Sequence, residues 1–341
     1  MWIRSRARRG STRRIHQNQE RDDQPIRERA RPFWRIGMST VGLVGLGNMG
    51  YAVAGRLRQQ FEVLAYDLDP QRRATAATDH GVTAVEQIAE LAMADRILLS
   101  LPTPATSLLV ANELLPHLAA GAIIIETSTV NPQDIWRLRD LCATSGVEVV
   151  DAAILSGVAQ MAAGSSMLLV GGADDTIAAV KPVLEALAPR MMRFGDVGSG
   201  MAAKVINNAV AHAVMVVLVE AGALANATGV SGTDLATLLT GPDAGLTRPL
   251  THRYVERILR GDYEGGMPTE AARKDSTLAL ALAQASEVPL FAIQAAHSVY
   301  ELALAAGFAR EDYAAIAKLW ENWTGNSFSE NTPTTAGEIN E

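Results

Sequence analysis

Among 341 residues there is one cysteine, Cys142, and there are four lysines, Lys181, Lys204, Lys274 and Lys318. A single thiol excludes a disulfide framework. No Cys or His stands near it at metal-ligand spacing, so neither a structural zinc nor any other metal is expected. Its segment reads as a surface helix, and a reducing, cytoplasmic compartment fits this usage. An uninterrupted apolar run of membrane length is also missing. The longest candidate, residues 205–225, is broken by Asn207, Asn208, His212 and Glu220, and a membrane span tolerates few such groups. It reads as a buried helix of a soluble protein, able to serve an intersubunit core as well as an intradomain one.

The positive charge is nearly all arginine, and it is unevenly placed. Residues 1–37 carry eleven Arg against Glu20, Asp22, Asp23 and Glu28, a net of +7, whereas the whole chain is at −7 and its remainder therefore near −14. An acidic body excludes general nucleic-acid binding by the folded part, because phosphate contacts need a basic surface. Residues 1–37 read as a disordered basic extension. Met38 directly before the first expected strand, and an Arg- and Ala-rich usage that suggests a GC-rich genome, favour a silent arm behind a mis-assigned start. Targeting or polyanion contact is the alternative.

With 48% hydrophobic and 20% charged residues, the chain can bury a sizeable core, and its length suggests two domains. From Thr40 short apolar runs alternate with amphipathic stretches. The expected strands are 40–44, 62–66, 96–101, 122–126, 148–153, 167–170 and 191–194; the expected helices between them include 71–79, 104–119, 132–144 and 174–187. This is the pattern of an α/β fold, a doubly wound parallel sheet covered by helices. After Gly195 the alternation gives way to nearly continuous helix as far as about Trp323, with Ser199 as the expected N-cap of the first long one. The domains are thus expected at 38–197 and 198–325, with a disordered tail over 326–341.

Between the first strand and its helix stands Gly45-Leu46-Gly47-Asn48-Met49-Gly50, a G-x-G-x-x-G fingerprint in the context that makes it informative. Gly45 allows the tight turn, Gly47 lets backbone approach a pyrophosphate, and Gly50 lets helix pack on strand; the helix N-terminus offers free N–H groups to the phosphates. Asp67 ends the second strand, 22 residues after Gly45. A carboxylate there accepts from ribose hydroxyls and repels a 2′-phosphate by up to about 4 kcal/mol at 4 Å and an effective dielectric near 20. The expected cofactor is NAD rather than NADP. Arg72 and Arg73 follow closely and either soften that preference or are simply solvated.

The other informative segment runs from Gly198 to Asn208. On a helix Gly200, Lys204 and Asn208 recur at i, i+4 and i+8 with Asn207 alongside, so an ammonium and two amides share one face of an otherwise apolar element. Buried lysine is costly unless paired, and Gly200 one turn earlier is expected to leave room for a ligand.

With these residues in view the chain closely resembles the β-hydroxyacid dehydrogenase family, which includes 3-hydroxyisobutyrate dehydrogenase, tartronate semialdehyde reductase and 6-phosphogluconate dehydrogenase. The resemblance spans about residues 40–323 and rests on the fingerprint, on Glu126-Thr127-Ser128-Thr129-Val130-Asn131-Pro132, on residues 151–172, on the Gly198–Asn208 block and on Lys274-Asp275. It implies a Rossmann domain followed by an all-helical substrate and oligomerisation domain, in a homodimer or homotetramer without nucleic-acid or membrane partners. The implied activity is NAD-dependent interconversion of a small 3-hydroxy acid and its semialdehyde or oxo acid. By resemblance, Lys204 is the acid/base group and Asn208 binds substrate. Leu101, Pro102 and Thr129 lie along the nicotinamide, and Lys274 closes over it. The bland alternatives are that Thr129 only caps the helix at Pro132 and that Lys274-Asp275 is a solvated pair.

One departure concerns the substrate. Where family members read Asp-Ala-Pro-Val-Ser-Gly-Gly, this chain reads Asp151-Ala152-Ala153-Ile154-Leu155-Ser156-Gly157. Either the loop shifts so that Ser156 and the Gly157 N–H grip a carboxylate, or the pocket takes a more apolar substrate. Two other functions compete: an imine reductase on a related fold, whose members usually lack the family lysine, and a non-catalytic dehydrogenase-like binding module. Lys204 counts against both.

Overall fold

The computed structural model describes residues 39–329; the expectation for residues 1–37, and that for the tail beyond Ser329, lie outside the described residues. Eight strands form one sheet: β1 (Thr40–Val44), β2 (Glu62–Tyr66), β3 (Thr83–Ala84), β4 (Arg96–Leu99), β5 (Ile123–Glu126), β6 (Glu148–Ile154), β7 (Met167–Gly171) and β8 (Arg190–Gly195). Their spatial order is β3-β2-β1-β4-β5-β6-β7-β8. The order reverses beside β1, and such a switch point opens a crevice at the carboxyl ends of the strands.

Helices α1 (Asn48–Leu57), α2 (Pro70–His80), α3 (Pro104–Leu114), α4 (Pro132–Ala143), α5 (Val158–Ala163) and α6 (Asp174–Leu187) cover the two faces. Alternate residues feed separate cores. Val41, Leu43, Leu98 and Ile125 belong to one, Val44, Ile97, Leu99 and Ile124 to the other. Strands buried on both faces read as continuous apolar runs, which is why β4 and β5 are recognisable in sequence. Helix starts are equally local: Asp69 accepts from Gln71 N at 2.8 Å ahead of Pro70, and Thr103 caps α3 from Thr106 N.

Three local expectations are corrected. The sheet is not wholly parallel, because β6 and β7 are antiparallel. The link between them holds only the six-residue α5, too little for an ordinary crossover back to a parallel neighbour. Strand β3 went unread because its two residues are exposed and carry no apolar signal. Cys142 lies on the inner face of α4 with no exposure, not on a surface, and burial pushes its thiol pKa up to about 12.

Beyond Gly195 the chain is helical: α7 (Ser199–Ala227), α8 (Gly232–Leu239), α9 (Thr269–Ala285), α10 (Ala292–Ala305) and α11 (Ala317–Thr324), with a π-helical stretch at Pro249–Val255. Ser199 is not the N-cap of α7. Gly198 takes that position at φ +99°, and Ser199 Oγ is buried without a partner. Helix α7 is also not buried within its own chain. Only Gly200, Met201, Glu220 and Ala225 are covered, while Ile206, Val210, Met215 and Val219 are 58–64% exposed. Periodicity had identified an apolar helix without saying what covers it. Among the described residues it is also the one helix long and apolar enough to cross a membrane.

Two buried carboxylates organise the helical half. Asp312 has no exposure; it pairs with Arg253 at 3.1 Å and Arg257 at 3.5 Å and accepts from Met267 N and Ala314 N. Glu220 of α7 caps α10, accepting from Phe291 N, Ala292 N and Ile293 N at 2.6, 2.8 and 3.0 Å. Burial would raise its pKa, but these three bonds outweigh it and hold the carboxyl below its usual value. A depressed carboxylate stabilises the fold above its unfolded pKa and loses that contribution as pH falls through its folded one. Glu220→Ala should therefore cost roughly 1–3 kcal/mol at neutral pH, a deficit that shrinks below about pH 4. Denaturant titrations of both proteins at the two pH values measure it.

Candidate active site

The fingerprint turn is shaped by what its glycines leave out. Gly45 sits at φ +96°, and a Cβ there would meet Ser100 O at 2.1 Å; one on Gly50 would meet Gly45 O at 2.0 Å. Both positions are closed to any side chain. A Cβ on Gly47 would meet nothing within 4 Å, so the space above it is left for a ligand. The first bond of α1 runs from Tyr51 N to Gly47 O at 2.8 Å, and the earlier N–H groups of that turn point outward without intrahelical partners. Asp67 is held at the rim by Leu46 N at 2.7 Å and Asp69 N at 2.9 Å. The two arginines differ: Arg73 donates to Asp67 O at 2.6 Å, whereas Arg72 lines the cleft, 3.7 Å from Asp67 Oδ2. An open glycine, free helix N–H groups and a carboxylate at the end of β2 fit NAD.

From Asp67 a cleft of about 1130 Å³ runs past Gly45, Gly47, Asn48, Met49 and Gly50 to Leu101, Pro102 and Thr129, and ends at Ser156 and Lys204. Leu46 borders an adjoining hollow with Arg72. The cleft thus gathers most of the residues singled out in sequence. Gly157 instead is the N-cap of α5, Asn208 lies one turn beyond Lys204 outside the cleft lining, and Lys274 is exposed on α9, paired with Asp275 at 2.9 Å. Thr129 is free of capping duty, since the turn into α4 is closed by Asp134, which accepts from Asn131 N. In the loop after β6, Leu155 packs against the core, while Ser156 lines the cleft with its hydroxyl 2.6 Å from that of Ser166.

Two residues that sequence reading passed over hold this end of the site. Ser128 Oγ accepts from Leu101 N at 2.8 Å, and Ser128 N donates to Glu126 Oε1 at 2.8 Å. Glu126 therefore ties the Leu101-Pro102 and Thr129 walls together. It is fully buried, and burial pushes its pKa up to about 6 against weaker opposing hydrogen bonds from Ser128 and Thr127. Its Oε2 and the Ser107 hydroxyl both lack a partner. Asp151, its register partner on β6, is also fully buried, and burial raises its pKa to about 6. It accepts from Gly198 N at 2.6 Å and Met201 N at 2.8 Å. Gly200 turns out to serve this contact rather than a ligand: a Cβ there would lie 2.5 Å from Leu169 O and 2.9 Å from Asp151 Oδ2.

Lys204 follows one turn later. Lys181, Lys274 and Lys318 each pair with a carboxylate, from Glu185, Asp275 and Glu311 respectively. Lys204 has no such pair among the described residues. It is half-buried, and desolvation lowers its pKa. Desolvation with no carboxylate to offset it disfavours the charged form of the amine.

Comparison with known proteins agrees with this architecture. A family model for the NAD binding domain of 6-phosphogluconate dehydrogenase matches residues 40–198, and one for the NAD-binding of NADP-dependent 3-hydroxyisobutyrate dehydrogenase matches 198–320. The chain is 30% identical to 2-(hydroxymethyl)glutarate dehydrogenase of Eubacterium barkeri over 85% of its own length and 97% of the relative's. It is 28% identical to the NAD-dependent L-serine dehydrogenase of Pseudomonas aeruginosa, over 84% and 100%. Among solved structures, the 3-hydroxyisobutyrate dehydrogenase of Mycobacterium tuberculosis with L-serine aligns at 28% identity and TM-score 0.59, covering 83% of this chain and 99% of that one. An imine reductase from Pseudomonas sp. aligns at 23% and TM-score 0.74, with the same coverages, and shares the fold. The chain belongs to the β-hydroxyacid dehydrogenase family, NAD-binding oxidoreductases that act on CH–OH groups.

A buried carboxyl with a raised pKa favours the fold while protonated and loses that contribution as pH rises through its folded value. For Glu126, between its ordinary 4.5 and about 6, the loss amounts to about 2 kcal/mol. Glu126→Gln keeps an acceptor for Ser128 N and offers an N–H to the Ser107 hydroxyl. Denaturant unfolding should find it more stable than the parent at pH 8 by about that amount and equal to it near pH 4; an equal gap at both pH values would contradict the assignment.

Proposed function

We propose that the protein reversibly oxidises a small 3-hydroxy acid to its semialdehyde or oxo acid, with Lys204 as the acid/base group. The observation that carries this reading is the half-buried Lys204 in the lining of the nucleotide cleft, without a carboxylate partner among the described residues. NAD supplies the hydride acceptor when bound. The Gly45–Gly50 turn and Asp67 would hold its pyrophosphate and ribose, while Leu101, Pro102 and Thr129 wall the far end. Lys204 takes the hydroxyl proton of the substrate in oxidation and returns it in reduction; desolvation, which lowers its pKa, favours the neutral amine that accepts the proton. Ser156 would bind the substrate carboxylate, since Leu155 is turned into the core and lines no part of the cleft. An imine reductase is a weaker reading, because resemblance associates that activity with loss of the lysine.

The active form is proposed to be a cytoplasmic homodimer or homotetramer. Besides the apolar residues of α7, Leu278 and Leu302 are 61% and 50% exposed on α9 and α10. Exposed apolar residues in this number point to a surface covered in an assembly, and Lys204, Asn207, His212 and Glu220 along α7 argue for a protein partner over lipid. Association would also give Asn208 and Lys274, outside the cleft of a single chain, a setting in which to act.

Lys204→Ala should lower kcat by about 10² to 10⁴-fold while NAD affinity changes little, because the Gly45 turn and Asp67 are untouched; a near-normal kcat in the folded variant refutes the lysine mechanism. Light scattering at micromolar concentration should find at least a dimer, and Val210→Asp should dissociate or precipitate it. A fully active monomer would overturn the assembly.

A further inference from the structure

We infer that Asp151 is a positioning residue for Lys204, acting through the N-terminus of α7. The inference rests on the acid/base reading of the lysine. Helix ends are usually capped by a Ser, Thr, Asp or Asn at the cap itself. Here that position is Gly198, in a left-handed conformation, and the acceptor arrives from β6, 47 residues away in sequence. Each oxygen of Asp151 takes one N–H of the helix start, Oδ1 from Gly198 and Oδ2 from Met201. No cation pairs with it among the described residues. A carboxylate so placed does more than satisfy donors: it fixes the first turn of α7 against the sheet whose carboxyl ends form the cleft. Gly171 and Gly200 make way for it, for a Cβ on either would lie 2.6 or 2.9 Å from its oxygens.

A second contact holds the same joint from α4. Trp136 Nε1 donates to Val197 O at 2.9 Å, and a Cβ on Gly198 would meet that nitrogen at 2.7 Å. Lys204 stands one turn beyond Met201, about 4.5 Å along a rigid rod. Its amine is therefore aimed by how this first turn sits on the sheet. A displacement of about 1 Å at a reacting group can cost about 10²-fold in rate, so a joint of this kind is felt in turnover before it is felt in cofactor binding.

The test is a double-mutant cycle with cofactor binding measured alongside. Asp151→Asn keeps the side-chain volume but can accept from only one of the two helix N–H groups, since its amide nitrogen faces the other. We expect kcat to fall by about 10 to 100-fold, with the NAD dissociation constant, read by calorimetry on the whole protein, within about twofold of the parent because the Gly45 turn is not involved. Asp151→Asn combined with Lys204→Ala should be no slower than Lys204→Ala alone. Should Asp151→Asn fail to fold, Trp136→Phe carries the same cycle with a smaller loss. If Lys204→Ala is crippled and Asp151→Asn turns over normally, or if the two losses multiply in full, Asp151 does not act through the lysine. A Lys204→Ala enzyme at the parental rate overturns the lysine reading and this inference with it.

Discussion

The carboxylate of Asp151 has no exposure to solvent and no cation to pair with among the described residues, yet the sheet and the long helix both close on it. Burying such a charge is costly. What offsets the cost is the positive end of a 29-residue helix and two N–H groups that would otherwise be buried without acceptors. Residues scattered through the sequence become one constraint. Gly171 lacks a side chain because Oδ1 is there, Gly200 because Oδ2 and Leu169 O are there, and Gly198 because the chain must turn left-handed to bring its N–H round. Local readings of those glycines, as turn formers or ligand space, miss their common cause.

That contrast describes what was legible. Features set by neighbours in sequence could be read: β1 and β2 end to end, the fingerprint turn, Asp67, the Pro-started helices. Features set by distant contacts could not. The antiparallel turn at β7, the inward face of Cys142 and the cap of α7 all depend on which surfaces meet, and residue type does not report that. Glu126 shows the same limit. It stands inside a recognisable motif, but its function becomes visible only when Ser128 and Leu101 are found bonded in series to it.

Helix α7 is an instructive intermediate. Its apolar composition is obvious, and its polar interruptions are placed with purpose: Lys204 in the cleft wall, Glu220 capping α10. Which apolar side chains are covered is a property of the assembly. Residues 206 and 210, and again 215 and 219, are spaced one turn apart on exposed ground. Spacing of that kind makes a stripe, and a stripe needs another surface. The small core of the helical half, around Tyr263, Ala314 and Ala315, offers little apolar area to stabilise five helices alone.

The cleft's chemistry follows from which charges were left uncompensated. Asp67 is satisfied by Leu46 N and Asp69 N before any ribose arrives, so a ligand hydroxyl can replace those bonds without stranding a charge. Lys204 is the opposite case, held without a counter-ion where desolvation disfavours its protonated form. A carboxylate beside it would have favoured the protonated form and made it an ion pair, the arrangement found at the other three lysines. Burial without a counter-charge moves the balance toward the neutral amine. The acid/base role proposed for Lys204 needs both forms of the group, one to take the proton and one to return it. Desolvation with no partner charge favours that exchange, whereas a carboxylate partner would oppose it.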